Sequence, residues 1–399
     1  MSIGKPTTTP SGQPASGLPL LRLGFRPFYL GGAGFSALAI ALWLAALHGY
    51  PIAGRTAAMN GVIWHVHEMI FGAFAAIVVG FLLTAVRAWT SLDTPRGASL
   101  MGLWALWATG RLLVYWGPEW LAAGVDSLFL PVVAIVLLRV LIQANNRRNI
   151  FLTVALGLFG ALNVLFHWWA WHGRPDLALQ AGYAAIGLVV MFVTVIAGRV
   201  VPMFTANAVP GYAPMRWKWI ERLAAPSVVI TLFADAFLAL PALTIACAGF
   251  TALIHGIRLA GWRSWRVGTR PILAILHVAY AWIPVGFALL ALAAAGAIAH
   301  SLAIHALTVG AIGCAILGMI TRTALGHTGR ALIAGQFEVA SYALIIAAAL
   351  LRVFGPWLAS RATSIWIDAA AACWLAAFTV YLIRYVPYLV SARIDGKAG

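Results

Sequence analysis

Twelve apolar stretches follow one another from about Phe28 to Val386, and the polar residues that interrupt them are mostly histidines. This pattern constrains the fold more than any other feature. A lipid interior offers the backbone no water, so only helices and closed barrels span it, and runs of about 20 apolar residues are helices. Charged residues make up 9% of the chain, against about 25% in a soluble domain. The formal net charge of +16 would suggest nucleic acid in a soluble protein; in a membrane protein the positive-inside rule accounts for it, and no nucleic-acid partner is expected. Ionisable groups inside such spans are costly, which makes the histidines the first place to look for function.

The apolar runs place spans near 28–48, 61–86, 98–116, 121–141, 149–170, 177–198, 220–240, 242–260, 271–296, 299–321, 332–353 and 362–386. With the N-terminus in the cytoplasm, only Arg55, Arg111, Arg174, Arg352 and Arg361 of the 26 Lys and Arg fall on the outer side, an asymmetry that sets both termini inside. The expectation is an all-α integral membrane protein, a bundle of about twelve transmembrane helices. Residues 1–20, rich in Pro, Ser, Thr and Gly, form a flexible tail rather than a signal peptide. Residues 21–390 form one twelve-helix domain and 391–399 a short tail. Two stretches rich in Gly, Pro and polar residues, 198–211 and 321–335, predict breaks between spans. Cys247, Cys314 and Cys373 lie inside spans without a CxxC pair and read as free thiols.

The densest chemistry is Trp64-His65-Val66-His67-Glu68. Residues two apart on a helix point about 200° from each other, so His65 serves one site and His67 another. Glu68 is a carboxylate suited to orienting an imidazole or moving a proton; the plainer alternative is a polar turn solvated at the interface. His305 opens a helix of small residues in which Gly310, Gly313 and Gly318 admit a close neighbour or a flat macrocycle. Imidazole there suits haem iron or copper; ordinary helix packing is the alternative. His277, with Tyr280 three residues on, is either a ligand or a side chain hydrogen-bonded across helices. His327 lies between Arg322 and Arg330, an arrangement able to clamp a carboxylate or merely to form a positive-inside loop. Arg26 and Arg111 are expected to snorkel, and His48, His167, His172 and His300 to be interfacial.

Segments across nearly the whole chain resemble the NnrS family: FRPFYLGGAGF from Phe25, WHVHEMIFG from Trp64, GFLLTAVRAW from Gly80, GRVVPMFTAN from Gly198, LHVAYAWIPVG from Leu276 and HALTVGAIGCAILGMITRTALGHTGR from His305. The resemblance implies a twelve-helix bundle in a bacterial inner membrane, haem (of the b type) and copper as cofactors, and a role in nitric oxide tolerance or metabolism. Nitric oxide is then the small-molecule ligand, the lipid bilayer the surrounding partner, and a quinol or other donor the source of electrons. On that footing His65, His67 and His305 are the first metal-ligand candidates. His277 and His327 follow, Arg322 and Arg330 hold propionates, and Glu68 and Tyr280 supply protons. The chain lacks the adjacent His-His pair and the His-Pro-x-Val-Tyr run of haem-copper oxidases, so a copy of their binuclear centre is not expected. A multi-span transporter or haem- and metal-handling protein, and a haem-based sensor or assembly partner without turnover, are the competing functions.

Overall fold

The computed structural model describes residues 17–397 apart from 51–58, 60 and 239. Most of the N-terminal tail and Arg55 lie outside the described residues. Among the described residues there are twelve long helical segments and no strand. They are α1 (Phe25–Leu47), α2 (Gly61–Thr90), α3 (Ala98–Trp116), α4 (Glu119–Gln143), α5 (Ile150–Trp171), α6 (Pro175–Ala208), α7 (218–238), α8 (Pro241–Gly261), α9 (Pro271–Ala294), α10 (His300–His327), α11 (Gln336–Leu358) and α12 (Thr363–Val390). Ten of them are long and apolar enough to cross a membrane; α3 and α7 fall outside that group. The molecule is an all-α membrane bundle. Pro175, Pro241 and Pro271 open α6, α8 and α9, where a missing N–H costs nothing because the first turn has no acceptor for it.

Neighbours in sequence pack against each other, and α1 also packs along α12. At one end of that pair the Arg26 guanidinium donates to the carbonyls of Leu389 (2.8 Å) and Ser391 (2.7 Å). It therefore caps the last turn of α12 and is fully buried, where the sequence suggested snorkelling. At the other end His48 meets Asp368 at 3.0 Å. The most apolar windows of α2 and α10 are 89% and 72% buried, against 28% for α1 and α12. The two helices carrying His65, His67 and His305 are thus central. Each also contains a π-helical stretch, Glu68–Phe74 in α2 and Ala306–Gly313 in α10, a local widening that is common at functional sites.

The expected break at 198–211 is mostly absent, because α6 runs on to Ala208. Pro202 has no N–H for the carbonyl four residues back. That carbonyl, on Gly198, instead accepts from the Arg216 guanidinium at 3.3 Å, so the helix continues with its backbone satisfied. The second expected break is also shorter, since α10 stays helical to His327.

Candidate functional site

The first turns of α2 separate His65 from His67 as the helix geometry requires. His65 stacks on Trp43 of α1, with ring centroids 4.7 Å apart. Beyond it, His305 of α10 presents a ring 6.5 Å away and only 8° from parallel. His67 faces the opposite side and meets His167 of α5, Nε2 to Nε2, at 3.1 Å.

The two parallel rings border a cavity of about 180 Å³. Its walls are mostly aliphatic and aromatic, including Met69, Phe74, Ile186 and Trp374, with Arg352 of α11 as the charged member. The His305 Nδ1–H donates to the Ser301 carbonyl at 2.7 Å. A carbonyl only accepts, so the His305 Nε2 keeps its lone pair. The His65 Nδ1 is buried without a hydrogen-bond partner. Arg352 forms no ion pair among the described residues. A planar group with metal at its centre and carboxylates at its edge satisfies all of these. Imidazole nitrogen suits haem iron, and guanidinium is the natural partner of a carboxylate. The residues present therefore fit haem.

On the other side of α2 lies a dry ionic cluster from four helices. Its members are His67 and Glu68 (α2), Arg111 (α3), Asp126 (α4), and Asn163 and His167 (α5), each at most 5% exposed. Arg111 donates to Glu68 Oε1 at 2.6 Å and also pairs with Asp126. The His67 Nδ1–H donates to Glu68 Oε1 at 2.7 Å. Asp126 Oδ2 lies 2.9 Å from His167 Nε2 and 3.2 Å from His67 Nε2, and accepts from Asn163 Nδ2 at 2.8 Å. Small residues admit this convergence. A Cβ on Gly72 would stand 2.8 Å from an Arg111 nitrogen, and one on Gly110 would stand 2.9 Å from Asp126 Oδ1. Trp107 Nε1 donates to the Gly72 carbonyl within the widened turn at 3.0 Å.

The remaining candidates lie elsewhere. His277 has both nitrogens in hydrogen bonds, to Thr205 (3.0 Å) and Ser264 (2.9 Å). Tyr280 belongs to a separate network, bonded to His255 Nδ1 at 2.7 Å and to Arg258 at 2.9 Å, with Arg258 in turn paired to Glu221. Glu68 and Tyr280 are therefore not in one network. His327 packs on Phe25. Arg322 lies over Phe204 at 3.8 Å and Arg330 over Tyr388 at 3.6 Å, so the two guanidiniums cover different rings. Sequence reasoning passed over Asp126, Asn163 and Arg352, and treated Arg111 and His167 as interfacial although both are buried. A signal existed: Asp126 and Asn163 fall well inside predicted spans, where any polar residue needs a partner.

The family model described as NnrS protein matches residues 19–393, nearly the whole chain. A comparison with curated proteins gives no match. Taken with the central paired histidines and the all-α membrane bundle, the match over nearly the full length means that the chain belongs to the NnrS family.

Proposed function

We propose that this membrane protein of the nitric oxide response holds a haem between His65 and His305 and uses it to bind and remove nitric oxide, protecting the cell from nitrosative stress. The observation that carries this reading is the pair of parallel imidazoles 6.5 Å apart across an apolar cavity. Haem held by two imidazoles carries electrons, and haem with one position vacated binds nitric oxide.

The chain's own residues have definite parts in this reading. The Ser301 carbonyl fixes the His305 tautomer, and Trp43 fixes the plane of His65. Arg352 neutralises propionate carboxylates. The apolar walls exclude water and admit a small apolar gas from the lipid. Glu68, through His67, and Tyr280, through His255 and Arg258, are the groups placed to hold or move protons. Copper, with imidazole ligands, is part of the same reading. So are a bacterial inner-membrane location with both termini inside and a quinol or other membrane-borne electron donor.

Purified protein in detergent should show a Soret band that is lost in both His65→Ala and His305→Ala. Nitric oxide should shift the band, and an added electron donor should drive its consumption. Wild-type protein that retains no Soret absorbance after incubation with haem and removal of the unbound haem sinks the proposal. A band with nitric oxide binding but no consumption makes the protein a sensor or electron-transfer partner instead.

A further inference from the structure

We propose that His67, Asp126 and His167 form a binding site for one divalent first-row transition-metal ion, separate from the His65–His305 cavity. The inference does not depend on haem occupying that cavity. His67 Nε2, His167 Nε2 and Asp126 Oδ2 lie 3.1, 2.9 and 3.2 Å from one another. Ligands about 2.0–2.1 Å from a common metal stand about 2.9–3.4 Å apart. Three donors from α2, α4 and α5 thus already have the spacing of one face of a coordination polyhedron.

Hydrogen-bond logic points the same way. Glu68 is ionised against Arg111 and only accepts, so the proton of His67 sits on Nδ1 and its Nε2 carries a lone pair. That lone pair faces Asp126 Oδ2 and, at 3.0 Å, Asn163 Oδ1. The amide orientation of Asn163 is not free, because its Nδ2 donates to Asp126. His167 Nε2, 3.1 Å from that lone pair and 2.9 Å from Asp126 Oδ2, has one N–H to share between them, whereas a cation among the three atoms satisfies all of them at once. Glu68 and Asp126 against Arg111 leave one negative charge in a buried site, which favours a cation there. A carboxylate holding the far nitrogen of a ligating imidazole is also the usual outer support of a metal site.

Two imidazoles with one carboxylate suit divalent iron, zinc or cobalt better than monovalent copper, which prefers sulfur. A small pocket bordered by Glu119, Ala122 and Trp171 touches His167.

The test uses full-length protein in detergent, stripped with a chelator and titrated with Co(II). Wild type should bind one equivalent and develop visible ligand-field bands. Asp126→Asn and His167→Ala should each weaken binding by more than about tenfold, and Glu68→Gln by about 10- to 100-fold. His167→Gln, which keeps a hydrogen-bond donor toward Asp126, covers the case in which the alanine variant does not fold. Co(II) failing to bind wild type, or binding Asp126→Asn and the folded His167 variant as tightly as wild type, overturns the proposal. In that case the cation is a proton on His67. His65→Ala with Co(II) binding intact and no Soret band separates this site from the haem reading.

Discussion

His65 and His67 leave the same turns of α2 for surroundings of opposite character. On one side is an apolar cavity with two parallel rings and, among the described residues, an unpartnered imidazole nitrogen and an arginine without a carboxylate. On the other, six buried polar side chains pack directly against one another. On the proposed reading, a large planar group completes the first arrangement. The second lacks at most a single ion. One helix serves both because a two-residue step turns a side chain through about 200°. The π-helical turn beginning at Glu68 then lets the backbone adjust to packing on both sides.

Replacing the arginines breaks or sharpens this contrast most strongly. Arg111→Met leaves Glu68 and Asp126 as buried, uncompensated carboxylates and should cost about 3–5 kcal/mol, read as a large drop in thermal unfolding temperature in detergent. Arg352→Met removes a charge that has no carboxylate partner among the described residues, so it should destabilise the protein less than Arg111→Met does, while haem retention falls. Equal destabilisation by the two would show that the cavity arginine is as structurally committed as the cluster arginine.

A smaller effect is expected at Gly72. A methyl there would lie 2.7 Å from Phe35 and 2.8 Å from Arg111, so Gly72→Ala should cost about 1–3 kcal/mol through overpacking. Gly34→Ala on α1, where nothing lies within 4 Å, should be near neutral. The same thermal unfolding measurement checks both.

The smallest effect is expected far from either site. Hydrogen bonds from Arg393 hold the Asp395 carboxyl far below its usual range, and Arg393 also ties the tail to the His327 carbonyl at 3.0 Å. A depressed carboxylate contributes above its unfolded value, about 3.9, and loses that contribution only as pH falls through its lower folded value. The tail should therefore stay docked from neutral pH to about 4. Asp395→Asn should raise amide exchange in residues 392–397 at neutral pH and leave global unfolding unchanged.

Much of the bundle was legible because membrane helices announce themselves. The apolar runs and the Pro residues that open α6, α8 and α9 are local signals. The breaks were misread for a tertiary reason. Nothing near Pro202 in the sequence reveals that Arg216, fourteen residues on, supplies the donor for the Gly198 carbonyl. The sites were half legible. WHVHE marked the turn of α2 from which both histidine clusters depart, and the helix period separated its two histidines. Asp126, Asn163 and His167 sit singly in long apolar runs, and each reads as an isolated polar residue until the helices are packed.

The sequence by itself determined the all-α membrane bundle and the divergence of His65 from His67, because both follow from local rules: backbone satisfaction in lipid and the helical period. Only the tertiary structure decided that Arg111 and His167 are buried, that His305 faces His65, and that Asp126 stands between two imidazoles. Those facts depend on which faces of distant helices meet, and a buried charge is tolerable only where packing delivers its partner.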